Sequence, residues 1–314
     1  MFSTSATSLM SRPVAIALAG ALATSCGDST TQPGADPYEI AFSYAYNDTV
    51  PDIFVMAADG SALKRIVNAP PRNELPDWSP DGSMLLFTRD STRNGTSSLW
   101  VSHADGSDAR ELTPGLGDSY GGRWSPDGRS IVFVTRTPTT GNLGVVKADG
   151  TGWHVVNAAV DDAVGPPSWS PDGRIAFQRS GSGSSGIWAM KSDGSGLARV
   201  TGSNDDVEPR WSPDGSRIAF TSRGLINGDG IQEHNVWVSK ADGSSRQQIT
   251  RGAVDVHPAW SPDGQWIIYD RFLAGTSSVH CLLFKVPAAG GAAVNLLPPR
   301  TGPVCMGATW RRIP

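Results

Sequence analysis

The sequence lacks several features that mark common functional classes. It has no run of lysine or arginine, and its 26 basic and 30 acidic residues give a formal net charge of −4. We therefore expect no nucleic-acid binding, which depends on a basic surface. Its five histidines show no His-x-His or His-x₃-His spacing, so no histidine metal site is predicted. The N-terminal apolar run, residues 13–23, has eleven residues and is too short to span a bilayer as a helix.

Five copies of Trp-Ser-Pro-Asp-Gly recur along the chain. Their tryptophans are Trp78, Trp124, Trp169, Trp211 and Trp260, and a diverged sixth copy ends at Trp310. Successive tryptophans are thus separated by 42 to 50 residues. A period in this range that covers most of the chain is typical of a propeller or a solenoid.

Each repeat carries the signals of a four-stranded antiparallel meander. Ser-Pro-Asp-Gly predicts a β-turn, because proline presets its second position and glycine suits its fourth. An alternating strand follows, such as 218–220, and then a second apolar strand, such as 236–238. Asp242-Gly243 predicts a two-residue hairpin that leads into a closing strand. The aspartates of the Ser-Pro-Asp-Gly turns should bond their local backbone rather than form a binding array: Asp81, Asp127, Asp172, Asp214 and Asp263.

The two ends of the chain supply parts of one repeat. Residues 39–43 read as a second strand with no first strand before it, and the matching first strand is at 306–310. We therefore predict an all-β, six-bladed β-propeller over residues 39–314, closed by pairing the C-terminal strand with the N-terminal strands. The tryptophans should fill the space between neighbouring blades. Deleting about the last ten residues should open the ring, because closure removes free sheet edges.

The N-terminus has the pattern of an exported protein. Residues 1–25 read as a signal peptide, with Arg12 before the apolar run. Residues 22–26 (Leu-Ala-Thr-Ser-Cys) resemble a bacterial lipobox, in which Cys26 is acylated; the alternative is ordinary secretion with Cys26 merely nearby. Residues 26–38 then form a polar tether. The residue directly after Cys26 is Gly27 and not aspartate, so the resemblance implies an outer-membrane lipoprotein that faces the periplasm and contacts the membrane through its lipid only.

With Cys26 lipidated, two cysteines remain. Cys281 should begin a third strand and Cys305 the first strand of the next blade, and both starts lie on the same rim. An oxidising compartment would permit a disulfide between them. The alternative is two buried thiols.

The tandem repeats with their Ala-Asp-Gly hairpins resemble the WD40-like PD40 repeat of the TolB β-propeller, over residues 39–313. Prolyl-oligopeptidase-type peptidases, tricorn-like proteases and oligogalacturonate lyases contain similar repeats, so the resemblance specifies fold better than function. The hydrolase domain of the peptidases, which a Gly-x-Ser-x-Gly elbow marks, is not predicted, because the match to that pattern at residues 117–121 lies within the propeller repeats. The TolB N-terminal domain has no counterpart between Cys26 and Glu39, so a propeller without that domain is expected.

Polar residues gather where the first strands of the fourth and fifth repeats begin. Six of them form the candidate site at the channel mouth: Asp205, Asp206, Glu208, Arg210, Asp255 and His257. They predict either a polar binding pocket or a solvated channel lining. The carboxylates would also suit a hard cation such as calcium. Only His257 lies where the metal-binding histidines of oligogalacturonate lyases are found, so no metal site and no catalytic residue are predicted.

Two functions follow from the sequence. The first is a non-catalytic, monomeric, periplasm-facing scaffold without a cofactor, which binds an envelope protein or peptide. The alternative is a glycan-binding or oligogalacturonate-lyase-like enzyme with its site at the channel mouth. The longest loops, at 223–234 and 90–98, are further places where a partner could bind.

Overall fold

The structure is a computed structural model that describes residues 37–313, except 46–49, 69–70, 91–94, 137–140, 157–164, 182–184, 227–231, 253, 274–279 and 298–304. The described residues form 24 β-strands. No helix in this part of the chain is long and apolar enough to cross a membrane. Residues 36–314 form one compact unit. The predicted signal peptide and nearly all of the predicted tether lie outside the described residues.

The strands fall into six antiparallel groups of four, here called blades one to six. Their second strands are β1 (Tyr38–Tyr44, blade six), β5 (Met84–Asp90), β9 (Ser130–Arg136), β13 (Arg174–Arg179), β17 (Arg217–Ile226) and β21 (Trp266–Leu273). Their third strands are β2 (Asp52–Ala57, blade six), β6 (Ser97–His103), β10 (Gly141–Lys147), β14 (Gly186–Lys191), β18 (Gln232–Lys240) and β22 (His280–Pro287). Their fourth strands are β3 (Lys64–Val67, blade six), β7 (Arg110–Glu111), β11 (His154–Val155), β15 (Ala198–Arg199), β19 (Gln247–Gln248) and β23 (Val294–Asn295). Their first strands are β4 (Asn73–Trp78), β8 (Asp118–Trp124), β12 (Ser168–Trp169), β16 (Asp206–Trp211), β20 (Val254–Trp260) and β24 (Cys305–Arg312, blade six).

Blade six joins the two ends of the chain. β24 pairs antiparallel with β1, from Tyr38 opposite Arg312 to Tyr44 opposite Cys305. The first strands contact one another in the order β4, β8, β12, β16, β20 and β24, and β24 contacts β4. They therefore form a closed ring, and the predicted composite blade is confirmed. A single parallel bridge between blades four and five also merges their sheets.

The hydrophobic core lies between neighbouring blades. Ile131 and Phe133 on β9 pack toward blade one, whereas Val132 and Val134 on the same strand pack toward blade three. Both faces of each blade are thus buried, as strand alternation requires. Each of the six repeat tryptophans belongs to a different inter-blade cluster, so the predicted role of these side chains is confirmed.

The Ser-Pro-Asp-Gly turns are stabilised by their own side chains. The Ser79 hydroxyl donates to Asp81 Oδ1 at 2.6 Å and accepts the N–H of Met84 at 2.9 Å. Asp81 also accepts the N–H of Ser83 at 3.0 Å. Hydrogen bonds from Ser79 and Ser83 lower the pKa of Asp81. The same serine-to-aspartate bond recurs in the other four turns, which confirms that these carboxylates serve the turns.

The Asp-Gly hairpins dock on the preceding blade, and this contact can be tested at Gly243. Its φ is +81°, and a Cβ there would lie 1.8 Å from the carbonyl oxygen of Val200 in blade three. We expect Gly243→Ala to lower the free energy of unfolding in urea by more than about 2 kcal/mol, because a left-handed alanine costs roughly 1–2 kcal/mol before any clash. Gly173→Ala is the matched control, since its φ is +83° and nothing lies within 4 Å. Equal losses in both variants would show that docking of the hairpin contributes nothing.

Candidate functional site

The channel is lined by bulges in the first strands. Pairing shifts by one residue shortly before the repeat tryptophan in β4, β8, β16, β20 and β24. The residue three positions before each of these tryptophans has φ between +53° and +64°: Leu75, Gly121, Glu208, His257 and Gly307. Glycine adopts this conformation freely, whereas it costs other residues roughly 1–2 kcal/mol each. Strained backbone of this kind occurs at functional sites.

The bulge N–H groups are bonded across the blade boundaries. Leu75 donates to the hydroxyl of Ser43 at 3.1 Å, and Gly121 donates to Thr88 Oγ1 at 3.0 Å. Each acceptor directly follows the aromatic residue of a second strand in the preceding blade. In blade three the bulge position is Pro166, which has no N–H to donate. These bonds tie the first strand of one blade to the second strand of the preceding blade.

The bulges also decide which predicted site residues meet. In an unbroken strand, residues one, three and five positions before the tryptophan share a face. The extra residue breaks that alternation, so Glu208, Arg210 and His257 line the channel together. Asp206 and Asp255 are instead fully buried within their own blades. The structure therefore divides five of the six predicted residues into two groups.

The two buried aspartates each bind an arginine, and the sixth predicted residue is at the surface. Asp206 lies 2.5 Å from Arg246 Nη1, and Asp255 lies 2.6 and 2.8 Å from Arg271 Nε and Nη2. Asp205 is exposed. None of these three side chains lines the channel.

His257 joins three blades. Its Nε2 lies 3.1 Å from Glu208 Oε1 in blade four, and its Nδ1 lies 2.9 Å from Asp270 Oδ2 on β21. Asp270 in turn accepts the N–H of Gly307 in blade six at 3.0 Å. Glu208 also accepts the Thr221 hydroxyl at 2.8 Å. We call Glu208, His257 and Asp270 the histidine latch.

The latch is charged. Burial disfavours the charged forms of His257 and Glu208, but their mutual attraction and hydrogen bonds outweigh it. The pKa of His257 is therefore raised well above its usual value, and the pKa of Glu208 is lowered to about 2. His257 is thus an imidazolium held between two carboxylates at neutral pH.

Asp270 is a site residue that was not predicted from the sequence. Its position in the repeat could have indicated it. Asp270 directly follows the aromatic residue Tyr269, and the residues at the equivalent position in two other blades, Ser43 and Thr88, accept hydrogen bonds from a bulge N–H. A polar residue at this position indicates a bond to the bulge of the next blade. The partnership with His257 required the tertiary structure, because it joins different strands.

A cavity of about 370 Å³ lies at the end of the channel formed by the Ser-Pro-Asp-Gly turns. We call it the turn-side cavity. Its lining includes the tryptophans Trp124, Trp169, Trp211 and Trp260 and the turn prolines Pro80, Pro126, Pro171 and Pro213. Its polar lining includes the residues directly before the tryptophans in five blades: Asp77, Arg123, Ser168, Arg210 and Thr309. Of the six site residues predicted from the sequence, Arg210 lines this cavity, whereas the other five do not.

The turn-side cavity holds two arginines. Burial lowers the pKa of Arg123, whose Nη1 donates to the carbonyl of Gly122 at 3.0 Å. Burial and repulsion by Arg123 lower the pKa of Arg210 to about 9. Burial raises the pKa of Asp77, which accepts the N–H of Trp124 at 2.9 Å. The cavity therefore presents guanidinium donors whose charge is incompletely balanced.

The described residues contain no group of three or more His, Cys, Asp or Glu side chains placed to hold a metal ion. The carboxylates that suggested a cation site have cationic protein partners, namely Arg246, Arg271 and His257. Their geometry accordingly suits internal ion pairing.

Other predicted features fall partly outside the described residues. Cys26 lies in the undescribed N-terminal segment. Cys281 is buried on β22, and Cys305 begins β24, but the Cys305 side chain is not described. The disulfide therefore stays a prediction. The tips of the two longest loops, 91–94 and 227–231, are also undescribed.

Comparison with known families links the repeats to one domain type. The PD40 family, described as the TolB beta propeller domain, matches residues 30–176. An uncharacterised protein of Agrobacterium fabrum is 30% identical over 151 residues, which are 45% of this chain and 51% of that protein. The match thus spans about half the length of this relative.

Solved structures extend the likeness to the whole ring. TolB from Acinetobacter baumannii gives a TM-score of 0.74 at 18% identity, over 90% of this chain and 68% of that one. A TolB-type protein of Agrobacterium tumefaciens gives 0.65 at 20% identity, over 83% and 89%. A manganese-bound oligogalacturonate lyase gives 0.55 at 17% identity, over 82% and 73%, and shares the fold alone. Together with the repeats and the closed ring, these matches show that the chain has the fold of the TolB β-propeller, and its residues 30–176 match the PD40 family.

Proposed function

We propose that the protein is a non-catalytic scaffold that binds an envelope protein or peptide at the turn-side cavity. The observation that carries this proposal is the cavity itself, about 370 Å³ in volume and lined by tryptophan, proline and arginine. Tryptophan and arginine are enriched among the residues that dominate protein–protein binding. A cavity of this size accommodates a few side chains of a peptide.

The closed ring supports this role because it keeps the cavity rigid. Every blade is held on both faces by inter-blade clusters, so the cavity is formed largely before a partner arrives. A preformed site loses less conformational entropy on binding. The scaffold is proposed to act as a monomeric propeller without a cofactor.

Partner capture tests the binding site. We expect tagged protein to retain a near-stoichiometric envelope protein from cross-linked native envelopes, and Trp169→Ala to reduce the captured amount at least tenfold. Trp169 lines the cavity and is only partly buried. Trp153→Ala is the matched control, because Trp153 is 41% exposed and does not line the cavity. Loss of the partner in both variants, or in neither, would contradict the proposed site.

The proposed location is the periplasmic side of the outer membrane, with Cys26 acylated after removal of residues 1–25. We expect Cys26→Ser to abolish incorporation of labelled palmitate and to move the protein from the membrane fraction to the soluble fraction. Unchanged far-ultraviolet circular dichroism would show that the propeller still folds. Persistent labelling of Cys26→Ser would rule out this anchor, and an unlabelled wild-type protein would favour ordinary secretion.

A further inference from the structure

We propose that the turn-side cavity is a carboxylate-binding site in which Arg123 and Arg210 recognise an acidic side chain of a peptide. That the bound carboxylate belongs to a peptide rests on the proposed function, whereas carboxylate binding itself does not. The two arginines are on β8 and β16, and Ser168 on β12 lies between them in the ring. All three directly precede a repeat tryptophan, so they stand at the same level of the channel.

Both arginines have guanidinium N–H donors without a hydrogen-bond acceptor among the described residues. Arg123 is 4% exposed, and its Nη1 donates to the carbonyls of Gly122, Leu75 and Pro76. Its Nε is buried without a hydrogen-bond partner. Among the described residues, none accepts a hydrogen bond from the Arg210 guanidinium, whose interactions with Arg123, Asp77 and Glu208 are coulombic. A buried donor without an acceptor is unfavourable. A ligand that supplies oxygen acceptors would bond the other guanidinium donors of Arg123 and Arg210, which line the cavity.

The nearby carboxylates are already engaged. Asp77 accepts the N–H of Trp124, and Glu208 accepts bonds from His257 and Thr221. They balance part of the arginine charge without occupying the guanidinium donors. This arrangement leaves a position for one further anion between the two arginines.

A carboxylate fits this position by shape and charge. Guanidinium groups bind carboxylates through two parallel hydrogen bonds. The Ser168 hydroxyl accepts the N–H of Trp211 at 3.0 Å and keeps its own proton to donate. The charge of Asp77 across the cavity opposes a phosphate dianion more than a single carboxylate. The lowered pKa of Arg210, about 9, has the sign expected for a cation that lacks a partner.

Tryptophan fluorescence provides the test, because four tryptophans line the cavity. Purified protein is titrated with Ac-Gly-Asp-Gly-NH₂, its asparagine analogue, sodium acetate and inorganic phosphate. We expect the aspartyl peptide to bind at least tenfold more tightly than the asparaginyl peptide, and acetate to bind more tightly than phosphate. Arg210→Gln should abolish the difference between the two peptides. Arg174→Gln is the matched control, since the Arg174 guanidinium lies 4.6 Å from the ring centre of the cavity tryptophan Trp211 but Arg174 does not line the cavity.

The outcomes separate this inference from the proposed function. Equal affinity for the two peptides and no acetate binding, or equal effects of Arg210→Gln and Arg174→Gln, would overturn the carboxylate site. Acetate binding that depends on Arg210, with no binding of either peptide, would support the carboxylate site and overturn the peptide source. Preferential binding of phosphate would overturn the choice of carboxylate. If Arg210→Gln fails to fold, Arg210→Lys keeps the charge and should still weaken aspartyl-peptide binding at least threefold, because it loses the two-pronged geometry.

Discussion

Deleting residues 305–314 should abolish the cooperative unfolding transition of the protein. The deletion removes β24, which pairs with β1 and contacts both β4 and β20. It also removes Trp310 from the cluster between blades five and six. Loss of a buried tryptophan alone costs about 3–5 kcal/mol, and the strand ladder adds to this loss. The sum approaches the total stability of a typical domain, about 5–15 kcal/mol.

Circular dichroism during urea titration measures this effect. Deletion of residues 313–314 is the matched control, because Ile313 is 43% exposed and lies beyond the end of β24. That control should unfold close to the wild-type midpoint. Addition of a peptide with the sequence of residues 303–314 should restore the transition in the truncated protein. A truncated protein that retained the wild-type transition would show that ring closure does not govern stability.

Replacing His257 with glutamine should lower the free energy of unfolding by about 3–5 kcal/mol, the usual cost of removing one partner from a buried ion pair. Glutamine preserves most of the volume but leaves Glu208 and Asp270 without a cation between them. Asp270 is 1% exposed, so water cannot replace the lost charge. Urea denaturation near pH 5.5 measures the difference.

The pH dependence of this loss has a defined sign. The folded-state pKa of His257 is raised above its usual value of 6.5, so its contribution is complete below pH 6.5 and is lost as pH rises through the raised value. The folded-state pKa of Glu208 is lowered from 4.5 to about 2, so its contribution is complete above pH 4.5 and is lost as pH falls through 2. The deficit of His257→Gln should therefore be greatest between pH 4.5 and 6.5 and shrink on either side.

His234→Gln is the matched control for the latch. His234 lies on β18, and burial lowers its pKa, so it does not share the stabilising protonation of His257. A lowered folded-state pKa destabilises the fold below pH 6.5, so His234→Gln should gain stability relative to the wild type as pH falls below 6.5, the opposite sign to His257→Gln. An identical profile in His257→Gln and the wild type would show that the latch carries no net charge stabilisation.

The sequence by itself determined the propeller, because its signals are local and repeated. Ser-Pro-Asp-Gly and Asp-Gly encode turns through residues that are adjacent in the chain, and the hydrogen bonds of Ser79 and Asp81 follow directly from that chemistry. The repeat fragment that ends at Trp310 also located the closing strand, since it supplies a first strand that the N-terminal second, third and fourth strands need. Side chains that alternate along each second strand pack against the two neighbouring blades in turn, so both faces of a blade are buried.

The tertiary structure decided the site. The bulges reverse the strand alternation, so they buried Asp206 with Arg246 while leaving Glu208 in the channel. No local pattern encodes that reversal, because Leu75, Glu208 and His257 adopt a backbone that their residue types disfavour. The arginine-lined cavity arises because residues about 45 positions apart in the chain reach the same level of the ring. Its chemistry therefore depends on contacts between blades, which a single repeat cannot specify.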